Sequence, residues 1–208
     1  MGELNTNSIT LLGKLVGDFE LDHESVGEKF YKNYISIIRD SGTEDILPVI
    51  VSEKLLESTS GVSGQKVYIN GRISTKNIDA DGKRKLLIFA FATYIEIGNR
   101  IDEMQDANVV SLTGTICKQP IYRETPFGRQ ISDIIIAVNR KYGRTDYIPC
   151  ICWGRNAMWA SSFAVGEKIT VCGRFQSRKY VKRMDGLAED KIAYEVSVLK
   201  LEIGEEGE

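Results

Sequence analysis

The chain has 208 residues, of which 42% are hydrophobic and 27% are charged, and its formal net charge is -2. This composition is typical of a globular protein and excludes a wholly disordered or collagen-like chain. No apolar run approaches the roughly 20 residues that a membrane helix needs. The first ten residues also lack the basic and apolar regions of a secretion signal. We therefore expect a cytoplasmic protein that does not span a membrane.

The small net charge hides an uneven distribution along the chain. Residues 1–104 contain 12 Lys or Arg and 16 Asp or Glu, whereas residues 105–200 contain 15 basic and 9 acidic residues. A basic half between acidic flanks indicates a polyanion such as nucleic acid as the partner. A solvated surface rich in lysine is the alternative explanation.

The two halves of the chain repeat each other, which predicts two copies of one domain. A shift of 101 positions aligns glycines, a proline and charged residues without a gap. The aligned pairs include Gly13 with Gly114, Arg39 with Arg140, Asp45 with Asp146 and Pro48 with Pro149. After one inserted residue, the segment 64–72 matches 166–174. We predict domains at 1–100 and 105–204, joined by a short polar linker from Ile101 to Ala107.

The elements of each copy follow one order of short strands and turns. In the second copy the β-type runs lie at about 108–117, 129–139, 145–153, 167–176 and 192–203. Between the third and fourth runs, Arg155 to Ala164 has the composition of a helix. We expect Phe163 in the core and Trp159 at the end of the barrel. The first copy mirrors this order.

Three strands, a helix and two strands in about 95 residues match the five-stranded Greek-key barrel of the oligonucleotide-binding (OB) fold. Gly13 and Gly114 lie midway along the first strand of each copy, where a small barrel must bend. The predicted fold class is therefore all-β, with two tandem OB barrels and one short helix in each domain.

The four cysteines lie inside apolar, strand-like runs, at Cys117, Cys150, Cys152 and Cys172. This placement indicates buried thiols in a reducing compartment rather than disulfides. One C-x-C pair with two distant single cysteines is weak spacing for zinc. We predict neither a metal nor a cofactor.

Aromatic and basic residues alternate in the second copy, in the combination that single-stranded nucleic acid requires. Bases stack on rings while Lys and Arg follow the phosphates. The predicted stacking residues are Tyr142, Tyr147, Trp153 and Tyr180. The predicted phosphate-binding residues are Arg140, Lys141, Arg144, Arg155, Arg174, Arg178, Lys179, Lys182 and Arg183. Alternatively, each ring is a half-buried strand residue with solvated charges nearby.

The second copy resembles the bacterial single-stranded DNA-binding protein family. The resemblance follows Asn108-Val-Val-Ser-Leu-Thr-Gly114, the run from Asp146 through Trp153 to Ala157, and Gly173-Arg-Phe-Gln-Ser-Arg-Lys-Tyr180. It implies an OB fold in which aromatic residues of strand three and of the hairpin between strands four and five stack on bases. By position these are Tyr147, Trp153 and Tyr180, with Tyr142 in the preceding loop.

The first copy resembles the family in its scaffold alone. It has Ser41, Ile46 and Ser52 where the second copy has three rings. We therefore expect it to serve in assembly or partner contact.

The resemblance also implies an assembly and a role in the cell. Four barrels per assembly would make this chain a homodimer, and the implied role is protection of single-stranded DNA in replication, repair or recombination, in the nucleoid. Replication or repair proteins are possible partners, although the acidic end at Gly204–Glu208 lacks the Pro and Phe that the family uses for recruitment.

Three other functions remain open at the level of the sequence. An enzyme has little support, because His23 is the only histidine and lies in a predicted loop, so we predict no catalytic residue. A primosome-like or structural interaction module, with secondary nucleic-acid binding, fits the first copy better than the second. Single-stranded RNA is an alternative ligand, since every base has a face on which a ring can stack.

Overall fold

The computed structural model describes residues 7–80, 83–98, 101, 107–140, 143–184 and 187–203. Each half of this described chain contributes six strands. The first six are β1 (Asn7–Leu15), β2 (Glu20–Ser25), β3 (Glu28–Ile38), β4 (Glu44–Ser52), β5 (Lys66–Ala80) and β6 (Lys83–Ile97). The last six are β7 (Ala107–Ile116), β8 (Ile121–Glu124), β9 (Gln130–Asn139), β10 (Thr145–Trp153), β11 (Lys168–Met184) and β12 (Leu187–Ile203).

Five strands in each half close into a barrel. In the first barrel the neighbours are β1, β3, β4, β6 and β5, and β5 returns to β1. In the second barrel β7, β9, β10, β12 and β11 repeat this order. The third and last strands of each barrel pair in parallel, at Val49 with Ala90 and at Cys150 with Val196. This topology confirms the predicted all-β fold class of two tandem OB barrels.

The barrel interiors contain the apolar residues that alternate along the strands. In β9, for example, Ile134, Ile136 and Val138 are buried and the residues between them are more exposed. Branched side chains at every second position favour a strand and place one apolar face toward the interior. The buried cores therefore account for the strands that the sequence predicts.

The segment between the third and fourth strands differs between the barrels. In the second barrel it forms α1 (Arg155–Ala160), and in the first barrel it forms one turn of 3-10 helix (Glu53–Leu55). The first copy continues with serines and glycines, which have a lower helix propensity than the alanines of the second copy. The predicted helix is accordingly a full α-helical element only in the second barrel.

The expectation that Trp159 fills the barrel end is wrong. Ala157 and Ala160, three positions apart, form the buried face of α1. Trp159 lies two residues after Ala157, which turns it away from that face of a helix with 3.6 residues per turn. Its side chain is 40% exposed and contacts the ring of Phe163 edge-on at 5.5 Å. Phe163 itself is buried, as predicted.

Gly114 lies where the first strand of the second barrel changes partners. Up to this region β7 pairs with β11, and from Thr115 onward it also pairs with β9. A side-chain carbon on Gly114 would lie 2.5 Å from the carbonyl oxygen of Ala137 and 2.6 Å from a methyl carbon of Ile136. The close approach of β9 therefore requires glycine, and the same contact type occurs at Gly13.

Gly114→Ala is expected to lower the free energy of unfolding by about 1 to 3 kcal/mol, the usual cost of overpacking. Urea denaturation would measure it. Gly17→Ala is the matched control, because nothing lies within 4 Å of its added carbon and alanine reduces the freedom of the unfolded chain. Equal effects of the two substitutions would contradict the close-approach argument.

The two barrels share one sheet of twelve strands within the described residues. Their first strands pair antiparallel, from Asn7 opposite Leu112 to Leu12 opposite Ala107. In the predicted linker, Ile101 is buried and Ala107 begins β7, and the residues between them lie outside the described residues. Among the described residues, no helix has the length and apolar character needed to cross a membrane.

Two equivalent clusters join the barrels on either side of this ladder. In one, Arg39 donates two hydrogen bonds of 2.6 Å to Asp45, and Asp45 accepts from the backbone and hydroxyl of Ser177 in the other barrel. In the other, Arg140 pairs with Asp146, and Asp146 accepts from Thr75. Both arginines also donate to the carbonyl oxygen of the residue across the junction. We call these two clusters the clamps.

Candidate nucleic-acid interface

Tyr147 and Trp153 project from one face of β10. Both are at odd positions of the strand, so they share a face and lie roughly 20 Å apart along it. Tyr147 is 49% exposed and Trp153 is 37% exposed. The indole nitrogen of Trp153 donates a 3.2 Å hydrogen bond to Ser197 of β12, which fixes the direction of the ring. The structure therefore presents both rings outside the core.

Tyr180 and Arg178 form a paired ring and cation on β11. Tyr180 is 41% exposed, and the guanidinium carbon of Arg178 lies 5.8 Å from the centre of its ring. Glu195 of β12 accepts two 3.2 Å hydrogen bonds from Arg178, and these bonds raise the pKa of that guanidinium. The side-chain amide of Gln176 donates a 3.0 Å hydrogen bond to Oε1 of the same carboxylate. Buried Glu195 thus positions a cation beside an exposed ring.

A cleft of about 530 Å³ is lined by one member of each of these two groups and by neither Tyr147 nor Tyr180. Trp153 and Arg178 both line it, so the aromatic residue of β10 and the cation of β11 face the same space. Arg174 and Ser197, which are opposite each other in the β11–β12 ladder, form part of its floor. Arg129 and Arg39 complete its basic lining. We call this space the arginine cleft.

The other predicted phosphate-binding residues have different surroundings. Arg144, Arg155 and Lys179 are exposed. Arg140 belongs to a clamp, where its guanidinium is bonded to Asp146, a role that sequence reasoning missed. Lys141, Tyr142 and the side chains of Lys182 and Arg183 lie outside the described residues.

The corresponding face of the first barrel is built differently. Ser52, in the place of Trp153, is buried and bonded to Glu28, which also pairs with Lys54 at 2.6 Å. Arg72, in the place of Arg174, lies 4.6 Å from the centre of the Phe91 ring. In the first barrel, a buried serine bonded to a glutamate therefore replaces the exposed indole. An arginine packed against a ring replaces the open arginine of the cleft.

A larger groove of about 1170 Å³ lies in the first barrel, beside Gly61 and Tyr94. Among the described residues that line it, none is Lys or Arg, and Glu57 and Glu96 make it acidic. A polyanion would be repelled there. The smaller arginine cleft is consequently the better candidate for nucleic acid.

Of the four cysteines that the sequence places in the interior, Cys150 and Cys152 are buried, whereas Cys117 and Cys172 are partly exposed. Burial raises the pKa of Cys152 to about 12 and that of Cys150 well above its usual value, so both thiols stay protonated at neutral pH. Metals bind the thiolate form. Within the described parts of the chain, no group of three or more potential metal-binding side chains occurs.

The fold defines a protein of two OB barrels, and comparison with known proteins narrows this class. The model of the Single-strand binding protein family matches residues 107–203. The match covers the whole second barrel, which is therefore similar to that family. The residues quoted above for the resemblance fall within this match.

Individual proteins that are similar to this chain are also single-stranded DNA-binding proteins. A single-stranded DNA-binding protein of Thermus aquaticus is 27% identical over 156 residues, which are 67% of this chain and 58% of that protein. A second such protein, from Listeria innocua, is 35% identical over 80 residues, 35% of this chain and half of its own length. The chain thus spans less than two thirds of these curated relatives.

The crystal structure of the wild-type single-stranded DNA binding protein from Thermus aquaticus has the same fold. It superposes with a TM-score of 0.77 at 21% identity, covering 97% of this chain and 94% of that one. At this level of identity the likeness concerns the architecture. It places both barrels, and not the second alone, in one shared arrangement.

Proposed function

We propose that this protein binds single-stranded DNA without sequence preference, through the face of the second barrel that carries Tyr147, Trp153 and Tyr180. The observation that carries the proposal is the arginine cleft, in which Trp153 and several guanidinium groups face one space. Rings stack on bases of any sequence, and cations neutralise phosphates. The match of residues 107–203 to the model of the Single-strand binding protein family supports the same ligand.

In this proposal the aromatic residues contact the bases of the DNA, and the basic residues contact its phosphate backbone. Trp153 is oriented by Ser197, and Tyr180 is flanked by Arg178. Each stacked base contributes roughly 1 to 3 kcal/mol. Exposed Arg144, Arg155 and Lys179 extend the cationic surface around these rings, and Tyr142, Lys141, Lys182 and Arg183 belong to the same proposal.

The remaining parts of the proposal concern organisation and role. Residues 1–100 and 105–204 act as two domains, the first in assembly and the second in DNA binding. Two chains form a homodimer with four barrels. The protein coats single-stranded DNA in replication, repair or recombination and performs no catalysis. Molar mass in solution, with and without a defined oligonucleotide, tests the assembly.

Addition of a thymidine oligonucleotide is expected to quench the tryptophan fluorescence of the wild-type protein, with binding that weakens as salt rises because counterions are released. Trp153→Phe should lose most of the quenching. Trp159→Phe is the control, since Trp159 lies on α1, contacts Phe163 and does not line the arginine cleft.

Two outcomes would contradict the proposal. Absence of quenching and of oligonucleotide binding would favour an interaction module. Tighter binding to a uridine oligonucleotide than to thymidine would indicate RNA as the ligand.

A further inference from the structure

The arginine cleft brings together cations from both barrels. Arg174 and Arg178 come from β11, Arg129 precedes β9, and Arg39 comes from the first barrel. No Asp or Glu is among the described residues that line this cleft. Its lining is therefore basic, and the first barrel contributes one of the four arginines.

Two of these arginines are already paired within the protein. Arg39 is bonded to buried Asp45, and Arg178 is bonded to buried Glu195. Those carboxylates hold the two guanidiniums at fixed positions on the border of the cleft. Each pair is internally neutral, which leaves Arg174 and exposed Arg129 as the cations that an incoming anion would meet.

Arg174 carries one buried hydrogen-bond donor for which the described residues supply no acceptor. Its Nε is buried and has no hydrogen-bond partner among the described residues. Burial, reinforced by the neighbouring charge of Arg39, lowers the pKa of its guanidinium. A buried donor without a partner costs free energy. A ligand that supplies an acceptor at this place would remove that cost.

The equivalent position of the first barrel shows how the same residue is satisfied internally. Arg72 lies directly opposite Phe91 in the β5–β6 ladder, and its guanidinium stacks on that ring. Its Nε donates a 3.2 Å hydrogen bond to Ser74. In the second barrel the opposite residue is Ser197, which leaves the space above Arg174 open.

We propose that the arginine cleft binds a phosphate group of the DNA backbone, held by Arg174 and Arg129 beside the base that stacks on Trp153. The guanidinium fork matches two phosphate oxygens, and the phosphate supplies the acceptor that Nε of Arg174 lacks. Arg39 lines the same cleft from the first barrel, so the proposed DNA path reaches the junction of the two barrels. This inference rests on the proposed binding of single-stranded DNA.

Arg174→Gln and Arg72→Gln form a matched pair for the test. The logarithm of the binding constant of a labelled thymidine oligonucleotide is measured against the logarithm of salt concentration by fluorescence anisotropy. Arg174→Gln should weaken binding and reduce the slope by about 0.7, the value for one phosphate contact on a single strand. Arg72→Gln should keep the wild-type slope.

Thermal unfolding without DNA provides a readout that a purely structural role of Arg174 would not give. Arg174→Gln should unfold at the same temperature as the wild type or higher, because it removes a buried Nε–H donor that has no hydrogen-bond partner among the described residues. Arg72→Gln should unfold at a lower temperature, because it loses the contact with Phe91. Arg174→Lys should restore the salt slope but not the full affinity, since lysine cannot bind two oxygens in the plane of a fork.

The outcomes separate this inference from the proposed function. A wild-type slope for Arg174→Gln, or equal slope changes in both variants, would overturn the phosphate site while DNA binding by the wild type stands. Failure of the wild type to bind would overturn the proposed function itself. Stabilisation of the wild type by inorganic pyrophosphate, lost in Arg174→Gln without any change of DNA slope, would assign the cleft to a free anion and overturn the inference.

Discussion

The Trp153→Ala variant is expected to bind a thymidine oligonucleotide about 5- to 150-fold more weakly than the wild type, which corresponds to the loss of one stacked base. Trp153 presents a partly exposed indole on β10, and its hydrogen bond to Ser197 orients it before DNA arrives. Anisotropy of a labelled oligonucleotide is the appropriate measurement, because the substitution removes the fluorescent reporter.

Ser52→Ala provides the matched control at the equivalent position of the first barrel. Ser52 is buried and bonded to Glu28, so its loss should affect stability and leave DNA affinity within about twofold of the wild type. If both substitutions weakened binding equally, the assignment of stacking to the second barrel would be wrong. Unfolding curves of both variants would identify any change of affinity that comes from loss of structure.

Asp146→Ala is expected to lower the free energy of unfolding by about 3 to 5 kcal/mol, the usual cost of removing one partner of a buried ion pair. Asp146 is fully buried and accepts hydrogen bonds from Arg140 and from the backbone and hydroxyl of Thr75. Its removal leaves a half-buried guanidinium and two donors at the barrel junction without their acceptor. Urea denaturation measures the loss.

Asp146→Ala is compared with two further variants. Asp45→Ala should cause a loss of similar size, because Asp45 makes the same contacts with Arg39 and Ser177. Asp133→Ala removes a carboxylate that is also paired with an arginine, Arg123, but at the surface. Such a pair contributes about 0 to 1 kcal/mol. A loss below 1 kcal/mol for all three variants would show that the clamps do not stabilise the junction.

The repeat and the alternation of apolar residues were sufficient to predict the barrels. The strands that escaped prediction are those without a buried face. β2 and β8 lie at the two edges of the sheet and are mostly exposed, so their sequences carry no alternation of apolar and polar residues. For the same reason the polar outer half of β11 reads as a loop in the sequence, although its pairing continues to Met184.

The candidate site could be predicted where the alternation of side chains along a strand decides which of them are exposed. Tyr147 and Trp153 alternate with buried Ile148 and Cys152, and this pattern is visible in the sequence. The clamps were not predictable as contacts, although Arg39, Arg140, Asp45 and Asp146 stand out in the repeat. Each carboxylate binds an arginine six residues earlier and a backbone group in the other barrel, and only the folded chain brings those groups together.

The antiparallel ladder between Asn7–Leu12 and Ala107–Leu112 has a consequence for how a ligand is engaged. Barrels on a loose tether would have to be oriented by each binding event, at the expense of their rotational freedom. Here that freedom is already lost when the chain folds. A nucleic-acid strand long enough to reach across the junction would meet two barrels at a fixed distance and orientation. The backbone of the nucleic acid would then change its conformation to fit them.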